Sequence, residues 1–108
     1  MFVIVSRYLI PKGFNGITLF PFIIVSEHDL RLNAVTINHE KIHIKQQIEL
    51  LVFPFFIWYG IEFLIKWCMF KDKNIAYRNI SFEREAYAKE KNLNYLKQRS
   101  FWNFLNYL

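Results

Sequence analysis

Nineteen residues from Leu50 to Cys68, "LLVFPFFIWYGIEFLIKWC", form the feature that most constrains the fold of this 108-residue chain. The stretch is long enough to cross a bilayer, yet it carries Pro54, Glu62 and Lys66, with Glu49 just outside. Its uninterrupted apolar part, Leu50 to Ile61, has the length of a buried or interfacial helix rather than of a span. Glu62 and Lys66 are four apart in the favourable order and are expected to pair on a wet face. The expectation is a helix buried in the protein, with a lipid-facing position as the alternative.

Pro54 cannot bond back to the carbonyl four residues earlier, so any helix arriving from the N-terminal side should end or kink there. Such a helix is expected, because Ile37, Ile44, Ile48, Leu51 and Phe55 recur at helical spacing and Asn33 or Thr36 can cap it. Upstream, Phe2–Ile10 and Ile17–Val25 read as strands, joined through the turn signals Pro11-Lys12-Gly13 and Asn15-Gly16 into a hairpin. Pro21 places the second strand at a sheet edge or a bulge. Ser26 to Asn33 reads as a polar loop. Downstream, Lys71–Asn74 is a break, and Ser81 is the expected N-cap of a last long helix reaching about Ser100. The fold class is therefore α+β: a single domain over residues 1–108, a small N-terminal hairpin or sheet packed on three helices.

Aromatic residues number 12 Phe, 6 Tyr and 3 Trp, more than so small a body can hide, so some should lie at the surface. The net charge is +5, and from Lys71 onward eight Lys/Arg stand against four acids. No nucleic-acid motif or phosphate loop accompanies this basic end, and no nucleic-acid partner is expected. The single cysteine, Cys68, rules out an intrachain disulfide and fits a reducing compartment. The N-terminus has no basic region and meets Arg7 too early for a secretory signal, so the expected location is the cytoplasm, with membrane association left to the apolar stretch.

Chemistry concentrates in "INHEKIH", Ile37 to His43. Residues four apart share a helix face, so His39 and His43 can present two imidazoles to one Zn²⁺, while Glu40, about 100° away, borders the ion as a general base. Chance would place such a pattern in a chain this long on the order of a few times per thousand. A catalytic zinc keeps three protein ligands and one open position. Glu83 or Glu85, in "SFEREAY", could supply the third, although acids in a first helical turn also serve the helix dipole alone. His28, in the polar loop, is left out of the site.

"HEKIH" followed some forty positions later by "EREAY" resembles the small gluzincin metallopeptidases, or minigluzincins, which pair an HExxH helix with a glutamate helix reading Glu-x-x-Ala-Asp. The resemblance covers Thr36 to about Gln98 in element order and these two motifs at residue level. It implies a zincin-like domain with His39, His43 and Glu83 as zinc ligands, Glu40 as base and acid, and Ala86 as the family's small residue. Tyr87 stands where the family usually has Asp, which keeps Glu85 as the runner-up ligand. Leu19 to Val25 would be the upper-rim strand along which substrate lies extended. The activity implied is zinc-dependent hydrolysis of peptide bonds in a peptide or protein substrate, with Tyr77, Arg78 or Tyr87 as transition-state donor. Asn38 and Gln47 are candidate supports for the ligands. The aromatic end, Phe101 to Leu108, is expected to lie in the substrate groove and keep the enzyme latent. The competing reading is a non-catalytic protein, with a structural zinc site or none, whose aromatic surface docks to a membrane or a partner.

Overall fold

A computed structural model describes residues 2–10, 14–27, 30 and 33–108. The Pro11-Lys12-Gly13 turn, His28 and part of the polar loop lie outside the described residues. The described residues form an α+β fold in which a three-stranded sheet packs on helices. Strands β1 (Phe2–Val5), β2 (Gly16–Leu19) and β3 (Phe22–Val25) are ordered β1-β3-β2.

The pairing corrects the expected hairpin. The second apolar run is two strands, because the chain reverses at the cis Phe20–Pro21 peptide and β2 folds back antiparallel on β3. A proline in the turn forfeits no ladder bond, which is why Pro21 sits there and not at an edge or bulge. β1 then runs parallel to β3, with Phe2 opposite Phe22 and Val5 opposite Val25. The upper-rim assignment of Leu19–Val25 is corrected with it: β3 is central, and the edges belong to β1 and β2, of which β2 borders the Glu40 side of α1.

Helix α1 (Ala34–Glu49) starts at Asn33, whose Oδ1 accepts the Val35 and Thr36 N–H groups at 3.0 and 3.1 Å. Ile44 packs it against Ile23 and Val25 of the sheet, and Ile42 packs it against Ala86 and Tyr95 on the other side. Of its nine buried residues, seven are polar: Asn38, His39, Glu40, His43, Gln46, Gln47 and Glu49. Packing alone would not select such a set, because buried polar groups are costly unless partnered. α1 closes before Pro54 is reached. Leu51 and Val52, both at positive φ, turn the chain into α2 (Phe53–Phe70), and Pro54 falls in the first turn of α2, where its missing N–H does no harm.

α2 departs from the expectation of a buried helix. Only Phe55 and Glu62 are buried, and by length and composition the helix could cross a membrane. Glu62 turns inward to accept the Ser81 N–H at 3.0 Å and the Ser81 hydroxyl, so the expected Glu62–Lys66 pair does not form.

Where one break and one long helix were expected, the chain makes three short helices. These are α3 (Lys73–Arg78), capped by Asp72, α4 (Ser81–Lys89) and α5 (Tyr95–Gln98), with a 3₁₀ turn at Asn103–Tyr107. Ile80, not Ser81, holds the N-cap position of α4, since the Ser81 side chain is committed to Glu62. The main core gathers Leu50, Phe55, Ile80, Phe82 and Phe104. Of the aromatic end only Phe104 enters the core, and none of residues 101–108 lines either cavity beside the site, which corrects the latent-tail expectation.

Candidate metal centre

One turn of α1 stacks His39 and His43, and the first turn of α4 brings Glu83 against them. His39 Nε2 lies 3.2 Å from His43 Nε2, and the Glu83 Oε1 atom lies 3.2 and 3.0 Å from those two nitrogens. All three residues are buried. Three donors about 3.1 Å apart fit one face of a tetrahedron whose centre-to-corner length is about 1.9 Å, slightly inside the usual Zn–N and Zn–O distance of about 2.0–2.1 Å. Two imidazoles and a carboxylate are a donor set suited to zinc, though not to zinc alone.

The surroundings fix how these groups point. The Gln46 amide donates to the Phe82 carbonyl at 3.1 Å and to Glu85 Oε1 at 2.9 Å. Its Oε1 therefore faces His43 Nδ1, at 2.7 Å, and must accept the proton there. That tautomer leaves the Nε2 lone pair aimed at the cluster. Tyr59 donates its hydroxyl to Glu83 Oε2 at 2.7 Å. Burial and the Glu83 charge push the Tyr59 phenol far up, so it remains a donor. His39 Nδ1 has Glu90 Oε1 at 3.7 Å.

Burial alone would depress the His43 imidazole, but Glu83, helped by Glu40 and Gln46, overrides it and raises the group to about 9. Burial likewise opposes ionisation of Glu83, yet His43 and His39 together hold it well below the usual carboxylate range. Two imidazoles converging on one carboxylate oxygen thus form a site that a cation would satisfy.

Glu40 stands apart from the three. It accepts the Thr18 hydroxyl of β2. Its carboxylate lies so close to the strand that a Cβ on Gly16 would fall 3.1 Å from Glu40 Oε1 and 3.1 Å from the Ile24 carbonyl. Glycine at 16 is what admits the carboxylate. Two cavities share Glu40 as a wall. The first, about 660 Å³, reaches His43 and Glu83 and is otherwise lined largely by apolar side chains, including Ile17, Leu19, Phe56 and Phe63. The second, about 560 Å³, reaches His39 and is polar, with Arg78, Tyr87 and Glu90.

The three donor candidates cluster beside His39. Tyr87 lies edge-on to the His39 ring at 4.6 Å, Arg78 covers the Tyr87 ring at 3.8 Å, and the Tyr77 and Tyr87 hydroxyls are 3.4 Å apart. Of the three, Tyr77 lines both cavities. The runner-up ligand Glu85 is placed elsewhere. Arg99 donates to it from Nε at 2.6 Å and Nη2 at 3.0 Å, and Tyr95 donates at 2.5 Å. These bonds outweigh burial and lower its pKa, and they turn it away from the histidines. Asn38 and Gln47 do not touch the ligands either. Asn38 ties down the end of α4 through the Glu90 carbonyl at 2.8 Å. Gln47 clasps β2, donating to the Thr18 carbonyl at 2.8 Å and accepting the Phe20 N–H at 2.7 Å.

Sequence reasoning missed Tyr59, Gln46, Thr18, Gly16 and Arg99. Gln46 and Gln47 on an otherwise packed helix, and a tyrosine one turn before Glu62 in an apolar segment, were the available signals. Compared with protein-family models, curated proteins and solved structures, the chain matches none.

Proposed function

We propose that the chain is a minimal zinc-dependent metallopeptidase in which His39, His43 and Glu83 hold the ion. The observation that carries this reading is Glu40: a carboxylate not bonded to the three converging donors, steadied by Thr18, and set in the wall of two open cavities. A structural zinc site is closed by four protein ligands. Three donors beside open space favour catalysis over the non-catalytic reading.

His39, His43 and Glu83 would hold the Zn²⁺, which would supply Lewis acidity toward a scissile carbonyl and its attacking water. Glu40 accepts the proton that water loses as its oxygen bonds to the carbonyl carbon, and delivers it to the leaving nitrogen as the C–N bond breaks. Tyr77 is the donor placed for the developing oxyanion, because it lines both cavities; burial and then Glu83 push its phenol up, so it stays protonated. The apolar cavity suits a large apolar side chain next to the cleaved bond.

Glu40→Gln should retain about one zinc per chain and lose peptide cleavage, whereas His39→Ala should lose the metal. Cleavage by Glu40→Gln at the wild-type rate, or no first-row metal on folded wild-type protein, would overturn the proposal.

A further inference from the structure

The outer side of α2 is a stripe without charge. Phe53, Ile57, Ile61 and Leu64 are each half or more exposed and fall on successive turns of one face, which Gly60 and Cys68 complete. Phe56, Ile65 and Met69 widen it, and Leu51, also exposed, extends it past the start of the helix. Both charged residues of α2 lie on the opposite side: Glu62 on Ser81, and Lys66 one turn further on. Even subunit interfaces of permanent dimers are roughly one-third polar by area. This stripe has no polar side chain other than a thiol.

Its C-terminal end is basic and aromatic. Lys71 and Lys73 follow the last turn of α2 there, with the Lys73 Nζ 4.8 Å from the centre of the Trp67 indole ring. The one acid at this end, Asp72, is occupied in capping α3. Lysines beside an indole at the margin of an apolar surface complement anionic headgroups.

We propose that α2 docks the protein on an anionic lipid surface, lying in the plane of the interface with this stripe among the acyl chains. The in-plane orientation follows from what holds the other side. Phe55 near the start packs against Phe82 with ring centres 4.5 Å apart, and Glu62 in the middle binds the first residue of α4. The protein body therefore follows the helix along its length. A spanning α2 would carry Ser81, and Glu83 two residues on, into hydrocarbon, where charged groups are expelled.

The test uses the full chain with a nitrobenzoxadiazole label on Cys68, and requires neither metal nor cleavage, so its outcome is separate from that of the peptidase reading. With phosphatidylcholine vesicles containing about one-third phosphatidylglycerol, the protein should float with the vesicles and the label should shift to the blue. Leu64→Glu should weaken binding at least tenfold with an unchanged circular dichroism spectrum. If that variant loses its fold, Ile61→Gln at the next exposed turn should read the same way. Replacing Lys71 and Lys73 by Gln should weaken binding roughly fivefold per lysine on the anionic vesicles and leave binding to pure phosphatidylcholine unchanged. No flotation on either vesicle would overturn the proposal. So would a lipid-free dimer that Leu64→Glu dissolves, because a second copy of the chain would then be the occupant. A label at Ile61→Cys, in a Cys68→Ser background, should report the same depth as Cys68. A depth greater by about 10 Å, the rise between the two positions, would overturn the in-plane orientation.

Discussion

Removing the Arg99 guanidinium should be among the most damaging single changes available outside the candidate metal centre. The Arg99 side chain is fully buried between two buried carboxylates, donating to Glu85 twice and to Glu49 Oε2 at 2.7 Å. Arg99→Met keeps most of the volume and leaves both acids without their cation. Breaking one side of a buried ion pair destabilises by about 3–5 kcal/mol. An independent bound gives the same scale: a carboxyl of ordinary pKa 4.5 can escape the penalty by binding a proton, which at pH 7 costs about 3.4 kcal/mol. Urea unfolding followed by circular dichroism should therefore show the midpoint falling by about 2–4 M, against a total stability of about 5–15 kcal/mol for a domain of this kind. The sign of the pH effect follows from Glu85. In the wild type its pKa is lowered, so the stability it contributes is present above pH 4.5 and lost as pH falls through the lowered value. The variant lacks that contribution and gains by protonation instead, so the gap between the two proteins should narrow by about 1.4 kcal/mol per pH unit below pH 7. Adding Glu85→Gln to Arg99→Met should recover part of the loss at pH 7. A gap under about 1 kcal/mol at pH 7, or one that stays constant from pH 7 to 5, would refute the reasoning.

Phe104→Ala should destabilise the protein by about 3–5 kcal/mol in the same assay, since its ring is fully buried against Phe82 and Trp58; a truncation of residues 101–108 that stays folded and cleaves faster would restore the latent-tail idea. Tyr59→Phe should lower zinc affinity about 10- to 100-fold by freeing Glu83 Oε2, measured by competition with a chromogenic chelator. Gly16→Ala should leave zinc binding intact and slow peptide cleavage roughly ten- to a hundredfold, because the new methyl group displaces the Glu40 carboxylate.

What the sequence discloses here is what local spacing controls. His39 and His43 are four apart on a helix whose cap, Asn33, is also local, and α1 appears from Ala34 with both rings on one face. Glu83 and Glu85 are a harder case. Both reach α1, Glu83 at His39 and His43 and Glu85 at Gln46, and it is Arg99, on a later segment, that claims Glu85. No spacing within "SFEREAY" contains that information. The sheet failed for a similar reason: β1 pairs with β3 in parallel, a long-range choice that two apolar runs joined by turn residues do not specify. The apolar character of α2 was plain, but its burial was not, because hydropathy describes what a helix tolerates and not how much chain is available to cover it. Phe101–Leu108 was expected to need a place to bury, yet only Phe104 is buried, against Phe82, while Phe101, Leu105 and Leu108 stay exposed.

The clasp of Arg99 on Glu49 and Glu85 also has a bearing on synthesis. The chain is made from the N-terminus, so His39, Glu40 and His43 exist as a helix segment long before Glu83, and Glu83 before the arginine that fixes its neighbour Glu85. Until residues 99–104 have been translated, α1 carries a row of polar side chains whose partners are missing, together with an incomplete core around Phe82. A nascent chain at that stage offers a metal two imidazoles and no settled third donor, a far weaker hold than the finished triad. Under the proposed reading the order of translation therefore delays the site: zinc capture by His39, His43 and Glu83 would follow the synthesis of residues 99–104.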